Sequence, residues 1–412
     1  MPSDRLYYLD GCLREFSAEV VDCRTVDDLF EVVLDRTAFH PEGGGQPTDR
    51  GTLGDLPVLA VVERDGEVVH RTPAPLAPGR VVVGRIDWDR RLDLSQQHSG
   101  QHLLSQAFER VMGAKTTSFH MGEDLSTIEL DAPSVSQEQL ESVEELSNRV
   151  VMESRPILVH MVDASELSRF ELRKGTDRAG QVRVVEIQDF DAIPCGGTHC
   201  RSTVEIGLVK VTRAERRGRG TRVEFLCGRR ALRDYQAKNL AMAAMASTLK
   251  VAIAGVQEAV ERLLQENADA RRQIGALRNR LLDYQAEELA RQAEKVDGLS
   301  VVAALLPGAS PDELKALATR LTAKDGVVAL LASAGGRSHV VFARSDNICF
   351  DSADLLRRAA GPFGGRGGGA ARMAQGGLPE GDRAGLVLDA ALGELRSLLS
   401  RRPALPQHDL DM

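Results

Sequence analysis

Apolar and polar residues alternate in short runs over the first part of the chain. Glu31–Leu34, Val58–Val62 and Arg80–Ile86 are such runs, and Gly, Pro and Asp turns separate them. A period of two places every second side chain on a buried face of a sheet. Residues 1–95 are therefore predicted to form a β-rich domain, either a small barrel or a sandwich.

The pattern then changes to helical spacing. The segment SQQHSGQHLLSQAFERVMG has the period of a helix and ends at Gly113, which predicts a helix with a glycine C-cap. Ser136 is a favourable N-cap residue for a second helix, and the runs that follow, such as VRVVEIQ, alternate like strands. Residues 96–235 are therefore predicted to form an α+β domain.

A longer helical pattern occupies residues 249–296. Its seam positions repeat with alternating spacings of four and three, which is a heptad pattern. At the usual rise per residue this helix would reach roughly 70 Å. A coiled-coil homodimer and an intramolecular helix pair fit the pattern equally well. The seam consists of Val256, Val260, Leu263, Asn267, Ala270, Ile274, Leu277, Leu281 and Tyr284.

Beyond residue 298, apolar runs alternate with helical segments. VVAALLP, GVVALLAS and SHVVFARS predict buried strands, so that residues 298–412 form an α/β domain and residues 236–297 a long helical linker. The segment from Gly361 to Gly377 contains eight glycines. Such a loop allows backbone N–H groups to approach a phosphate or an RNA backbone closely, and the other interpretation is a flexible loop.

Composition narrows the class of protein. The chain has 412 residues, of which 42% are hydrophobic and 27% charged, as expected for a globular protein of two or three domains. It has neither a signal-peptide pattern nor an apolar run of about 18 residues, which predicts a cytoplasmic protein without a membrane span. Six cysteines are too few for a disulfide framework, so a chemically important cysteine is expected to bind metal.

The distribution of charge bears on how the chain could bind nucleic acid. The net charge of −8 argues against binding nucleic acid through bulk charge, although a local basic face remains compatible with it. Residues 213–233 contain eight arginines and only two acids. This stretch fits phosphate binding and a solvated turn and helix face about equally well.

Two pairs of metal-ligand residues carry the candidate chemistry. His98 and His102 are four residues apart in a predicted helix, which places both imidazoles on one face. Cys195 and His199 have the same spacing around two glycines, and the two pairs together can form a tetrahedral N3S zinc site. The other interpretation is a structural zinc or buried core histidines. A metalloprotease is disfavoured, because its motif has a glutamate where Ser99 stands.

At these residues the sequence resembles a known family. FHPEGGGQPTDRG (39–51), QQHSGQHLL (96–104) and CGGTH (195–199) closely resemble the editing domain of alanyl-tRNA synthetase, and above all the freestanding editing proteins of the AlaX family. The C-terminal glycine-rich segment resembles the DHH-associated C-terminal domain of the same synthetase. The resemblance covers nearly the whole chain and fits the long form of the family. His40 and Ser99 replace a frequent tyrosine and threonine and keep polar character.

The resemblance implies an activity and a partner. The expected reaction is deacylation of mischarged alanine tRNA, with serine as the first expected amino acid and glycine as the second. No aminoacylation is expected, because nothing in the sequence resembles an ATP-binding synthetase core. An RNA-binding protein with a structural zinc, and an enzyme that edits another misacylated tRNA, are the alternatives. The GGGQ loop and the C-terminal domain favour the alanine system.

The resemblance also implies the site residues. One zinc ion per chain is expected. Since phosphate contacts add affinity, the basic residues of the glycine-rich segment are expected to bind tRNA. The implied zinc ligands are His98, His102, Cys195 and His199, the pocket residues are Gln101 and His120, the loop near the charged tRNA end is Gly43, Gly44, Gly45 and Gln46, and the expected tRNA-binding residues are Arg366 and Arg372.

Overall fold

Strands dominate the N-terminal part of the chain, as the alternating pattern predicts. The computed structural model describes residues 3–177, 179–335, 338–379 and 383–400. The first elements are β1 (Asp4–Arg5), α1 (Leu6–Leu9), β2 (Glu15–Val26), β3 (Leu29–Leu34), β4 (Arg36–Thr37), β5 (Gly51–Leu53), β6 (Leu56–Val58), β7 (Ala60–Arg64), β8 (Glu67–Thr72) and β9 (Val81–Ile86).

Seven of these strands form one nearly closed sheet, in the order β6-β5-β9-β2-β3-β8-β7. In β2, the side chains of Phe16, Ala18 and Val20 are buried while those between them are exposed. This is the predicted period of two, and the β-rich N-terminal region is confirmed.

Helices and strands mix in the following part. Its elements are α2 (Trp88–Met112), β10 (Thr116–Met121), β11 (Ser126–Leu130), α3 (Gln137–Met152), β12 (Ile157–Asp163), β13 (Gln181–Ile187), β14 (Asp191–Pro194), β15 (Val209–Arg217), β16 (Gly220–Cys227) and α4 (Gly228–Leu249). The strands form a four-stranded sheet, β10-β11-β16-β15, and a three-stranded sheet, β12-β13-β14. One core joins α2 and α3 to these sheets through residues such as Leu103, Val143 and Phe225. The α+β prediction is confirmed.

Helix α2 begins earlier than predicted, at Trp88, where the Asp87 side chain accepts a hydrogen bond at the N-cap. It ends at Gly113 as predicted. Arg91 on this helix is fully buried and forms an ion pair with the equally buried Asp49. Because breaking a buried pair leaves an uncompensated charge, this contact fixes the loop before Asp49 against α2.

By its contacts the chain divides into two units, Met1–Ile253 and Ala254–Met412. The finer predicted division at residues 95, 235 and 297 stays a prediction. The second unit contains α5 (Val256–Arg291), β17 (Glu294–Val296), β18 (Leu299–Leu305), α6 (Pro311–Leu321), β19 (Val327–Ala332), β20 (Ser338–Arg344), α7 (Ser352–Ala360), β21 (Arg366–Gly369), β22 (Met373–Leu378) and α8 (Ala384–Ser400).

The second unit is a layered structure of helices on a mixed sheet, and its mostly antiparallel strands make it α+β rather than the predicted α/β. Its sheet has the order β17-β18-β19-β20-β22-β21, and only the pair β18 and β19 among the described strands of this sheet is parallel. One core contains residues of α5, α6 and the sheet, and the other contains residues of α7, α8 and the sheet. Helices therefore cover both faces.

The predicted single helix over residues 249–296 is wrong at both ends. Lys250, with φ 55°, ends α4, and a 3-10 turn at Ile253–Gly255 precedes α5. Val296 is buried in strand β17, so the apolar pattern there belongs to the sheet. The 36 residues of α5 span roughly 54 Å.

Much of the predicted seam is exposed in this single chain. Six of its apolar residues have 41 to 71% exposure. The intramolecular helix pair therefore does not cover them, and the homodimer stays a prediction. In the described part of the chain no single helix is long and apolar enough to cross a membrane. One bent pair of helices, Gly228–Leu249 with Ile253–Arg291, has the length and composition of a membrane span, but by those two criteria only. The six residues are Val260, Leu263, Ile274, Leu277, Leu281 and Tyr284.

The glycine-rich segment is not a flexible loop, because it forms the edge strand β21 and contributes to its neighbour β22. A Cβ on Gly367 would lie 2.3 Å from the Gln375 carbonyl oxygen and 2.9 Å from Leu356 of α7. The glycine at this position thus serves close packing of the strands and the helix. Arg366 is exposed, and Arg372 forms an ion pair with Asp346 at 3.2 Å.

Candidate metal centre and substrate cavity

The structure brings the two spaced ligand pairs together. His98 and His102 lie one turn apart in α2, and Cys195 and His199 lie just after β14, with their ligand atoms all within 4.8 Å of one another. Cys195 Sγ is 3.4 Å from His98 Nε2 and 3.3 Å from His199 Nε2. A sulfur and an imidazole nitrogen bound to one tetrahedral zinc would lie roughly 3.6 Å apart by the usual bond lengths. The donor set and its size therefore fit a metal ion such as zinc.

Close packing determines the conformation of the turn between Cys195 and His199. A Cβ on Gly197 would lie 2.2 Å from His98 Cε1, so the residue at this position can have no side chain. From β13, the Arg183 guanidinium donates hydrogen bonds to the carbonyl oxygens of Cys195 at 2.7 Å and Gly197 at 3.0 Å. The turn is thus fixed from two sides.

Hydrogen bonds also orient the imidazole rings. Gln46 Oε1 lies 2.7 Å from His98 Nδ1, and Ser99 Oγ lies 3.1 Å from His199 Nδ1. Because the Gln46 oxygen can only accept, it selects the His98 tautomer whose Nε2 lone pair is free for a metal, and the Ser99 hydroxyl holds the His199 ring at the corresponding nitrogen. His102 Nδ1 is buried without a hydrogen-bond partner in the described residues, and the nearest Asp191 carboxylate oxygen is 4.0 Å away.

Gln46 has a different place from the one predicted. It is 1% exposed and does not line the cavity. Besides its contact with His98, its side chain accepts a hydrogen bond from Thr198 N at 3.1 Å and donates one to Thr198 Oγ1 at 2.8 Å. Gln46 therefore connects the first histidine of α2 to the cysteine turn, inside the site rather than at its mouth.

Burial sets the protonation of the candidate ligands. It lowers the pKa of His98 to about 3 and holds the pKa values of His102 and His199 well below their usual range. The three imidazoles are therefore neutral at pH 7 and offer lone pairs. Burial raises the pKa of the Cys195 thiol, against a hydrogen bond from Gly197 N, so a bound cation is needed to favour the thiolate.

A cavity of about 530 Å³ lies beside this cluster. Gln101, between the two histidines of α2, lines it, and its amide nitrogen donates a hydrogen bond to Ser105 Oγ at 2.8 Å. Gly43 and Gly44 also line the cavity, whereas Gly45 does not. A Cβ on Gly45 would lie 2.9 Å from the Phe119 carbonyl oxygen, since this part of the loop packs against β10.

His120 is not brought to the cluster. It is exposed, and its neighbour Phe119 lines the cavity with its ring 5.5 Å from that of His98. Successive side chains of a strand point to opposite faces. In this structure His120 therefore does not lie where it could contact a substrate hydroxyl in the cavity.

Four basic residues at the cavity belong to no motif of the sequence. Arg5, Arg173, Lys174 and Arg183 all line it. Arg173 forms an ion pair with the buried Asp191 at 2.8 Å. The only sequence signal for Arg173 and Lys174 is the polar, glycine-containing segment ELRKGTDRAG, which resembles any surface loop.

Two family profiles match the chain. One, described as "Threonyl and Alanyl tRNA synthetase second additional domain", matches residues 182–224, which include Cys195 and His199. The other, described as "DHHA1 domain", matches residues 298–399. The two matches lie in the first and the second unit, respectively.

Curated relatives match over a much longer range. Alanyl-tRNA editing protein AlaX-L of Pyrococcus horikoshii is 32% identical over 96% of this chain and 99% of its own. Alanine–tRNA ligase of Pyrococcus furiosus is 34% identical over 96% of this chain, which spans only 44% of the ligase. Alanyl-tRNA editing protein Aarsd1 of Mus musculus is 36% identical over 62% of this chain and 66% of its own. The chain thus spans less than half the length of the ligases it matches.

Proposed function

Because this chain belongs to the family of the alanyl-tRNA editing protein AlaX-L, we propose that it hydrolyses the ester bond between alanine tRNA and a wrong amino acid, serine first and glycine second. The observation that carries the proposal is the N3S cluster of His98, His102, Cys195 and His199 beside a cavity of about 530 Å³. Such an activity belongs to translation fidelity and to the cytoplasm, where charged tRNA is used.

The four cluster residues would hold one zinc ion per chain. When bound, zinc can polarise a carbonyl or lower the pKa of a water molecule. The chain's own residues supply the rest. Gln46 and Ser99 orient two of the imidazoles, Arg183 fixes the cysteine turn, and Phe119 covers one side of the cavity.

The loop at Gly43 and Gly44 would receive the terminal nucleotide. A Cβ built on either glycine meets nothing within 4 Å, and Gly44 has φ +58°. The backbone is therefore accessible at the cavity wall, and its polar groups can approach a ribose or a phosphate closely. A side chain at these positions would occupy the space that the nucleotide needs.

Gln101 is the residue that we propose makes the site prefer serine over alanine. Its amide nitrogen is engaged with Ser105, so its carbonyl oxygen can accept a hydrogen bond from the serine hydroxyl. Alanine has no such group, and where the bound substrate excludes water it would leave this oxygen unpaired, at a cost of about 1–3 kcal/mol. This difference is the kind of discrimination that editing supplies when a synthetase pocket cannot reject a near-isosteric amino acid.

The second unit would add affinity for tRNA. Arg366 is exposed on the edge strand β21, and we assign it phosphate contacts together with Arg372. Since Arg372 already forms an ion pair with Asp346, Arg366 is expected to contribute more than Arg372 to the affinity for tRNA. Contacts of this kind strengthen binding without taking part in the chemistry, and salt weakens them.

The test is deacylation of alanine tRNA charged with serine, glycine or alanine. Serine should be released roughly 5- to 150-fold faster than alanine, the range that 1–3 kcal/mol implies. A chelator should abolish the reaction and added zinc restore it. Threonine tRNA charged with serine is the control substrate. A zinc-containing protein that binds alanine tRNA but releases no amino acid would instead be an RNA-binding protein with a structural metal.

A further inference from the structure

The hairpin of β15 and β16 presents a group of exposed arginines. Its two-residue turn has Gly218 at φ +62° followed by Arg219, and a glycine at the first turn position suits a tight hairpin. Arg213, Arg216, Arg217 and Arg219 are all exposed. They form what we call the arginine hairpin.

Other arginines of the same stretch have structural partners. Arg222 pairs with Glu129, and Arg230 is buried against Asp93. Within the arginine hairpin, Arg213 pairs with Glu215, and Arg217 lies 3.9 Å from Glu129. Arg216 and Arg219 form no ion pair with any residue that the structure describes. Fold stability therefore does not account for these two charges.

The register of the sheet places the arginine hairpin near the cavity. Thr116 of β10 is paired with Leu130, Leu130 with Thr221, and Thr221 with Arg216. These four residues form a row across one end of the sheet, and Thr116 lines the cavity. Three strand spacings separate the two ends of the row, which is roughly 15 Å. The single-stranded 3′ end of a tRNA covers such a distance with a few nucleotides.

A small cavity beside Arg216 adds a second observation. It has a volume of about 210 Å³ and is lined by Arg216, Ser134 and Thr221 among others. An anion there would have the Arg216 guanidinium and the Ser134 hydroxyl as donors, since the Thr221 hydroxyl already donates to the Ala132 carbonyl oxygen. The acids at this end of the sheet are engaged. Glu215, which also lines this cavity, pairs with Arg213, Asp131 accepts a hydrogen bond from Lys115 N, and Glu129 pairs with Arg222.

We propose that Arg216 and Arg219 are a docking surface for phosphates of the tRNA strand whose 3′ end enters the cavity. This inference rests on the proposed function. In a chain of net charge −8, a local basic group on the same sheet end as the cavity attracts the RNA backbone and orients it toward the site. The arginine hairpin would thus hold the acceptor end, while the second unit contacts a different part of the tRNA.

The test compares two double variants of the full chain. Arg216→Ala/Arg219→Ala removes the proposed contacts, and Arg271→Ala/Arg280→Ala removes two exposed arginines of α5 as the matched control. Binding of uncharged alanine tRNA by the hairpin variant should fall about tenfold, and the slope of its logarithm against log salt should flatten by roughly 2. The control should bind like the wild type. Equal binding by all three proteins overturns the proposal.

Two further readouts locate the contact. The hairpin variant should show a raised KM and an unchanged kcat with seryl-tRNA, and should hydrolyse a seryl-adenosine ester like the wild type. Ethylation of phosphates near the 3′ end should weaken binding by the wild type and have no added effect on the variant. Interference confined to the tRNA elbow overturns the placement. Because binding uses uncharged tRNA, a wild type that binds but does not hydrolyse refutes only the proposed function.

Discussion

At the scale of single residues, spacing was enough to find the metal-binding candidates. Two histidines four apart on a helix share a face, and a cysteine and a histidine around two glycines can converge in one turn, so local geometry determines both pairs. Gln46 could not be placed in this way, because its partners His98 and Thr198 are 52 and 152 residues distant. The position of His120 cannot be predicted for another reason. The register of β10 shifts between Thr116 and Ser118, and no sequence pattern marks that irregularity.

The position of Gln46 leads to a prediction about metal affinity. Gln46→Leu removes the hydrogen bonds to His98 and Thr198 while keeping a similar volume, and should weaken zinc binding by about 10- to 100-fold. Competition with a chelator of known affinity measures this. Gln46→Glu keeps an acceptor for His98 Nδ1–H and should lose less. Zinc affinity unchanged in Gln46→Leu would remove Gln46 from the positioning of the metal ligands.

At the scale of elements, the type of most strands and helices followed from periodicity, whereas their ends did not. Asp87 and Gly113 delimit α2 by local capping, but only the glycine follows directly from the helical pattern. The break at Lys250 has no strong local signal, since a lysine occupies the left-handed conformation there. The glycines of β21 resemble loop residues, because one sequence cannot distinguish a glycine needed for a turn from one needed for close packing.

Close packing within α2 gives a prediction at this scale. A Cβ on Gly100 would lie 2.2 Å from Cys227 Sγ of β16. Gly100→Ala should gain about 1 kcal/mol from helix propensity, but overpacking costs about 1–3 kcal/mol, so the free energy of unfolding of the first unit should fall. Chemical denaturation measures it.

The matched control for Gly100 is Gly275→Ala in α5, where a Cβ meets nothing within 4 Å. This substitution should raise the stability of the second unit by up to about 1 kcal/mol. A Gly100→Ala protein that is more stable than the wild type would mean that α2 and β16 can move apart without loss of stability, contrary to the close packing of Gly100 against Cys227.

At the scale of the whole molecule, the chain combines a unit that contains the cluster and its cavity with a unit that contains neither. All four cluster residues precede residue 200, and the division between the units falls at Ile253. Alternating and helical periods predict mixed helices and strands in both parts, but they do not reveal that the strands of the second sheet are mostly antiparallel. The sequence could not predict that α5 belongs to the second unit, because the heptad pattern describes one face of a helix and not the core it joins.

This division predicts separable contributions to activity. A fragment of residues 1–253 should keep the maximal rate with seryl-tRNA and need a higher tRNA concentration for half-maximal rate, with a shallower salt dependence. Arg366→Ala/Arg372→Ala in the full chain should reproduce part of that change. If the double variant binds tRNA like the wild type while the fragment is a monomer and the full chain a dimer, the second unit serves dimerisation instead.

The central claim is that the His/Cys cluster deacylates mischarged alanine tRNA. The most direct measurement is the rate of serine release from seryl-tRNA(Ala) by zinc-loaded wild type and by Cys195→Ala, with zinc content determined in the same samples. The claim predicts about one zinc per wild-type chain, much less in the variant, and loss of hydrolysis in proportion to zinc. Cys195→Ala that retains zinc and full activity, or a fully loaded wild type that releases no serine, would contradict it.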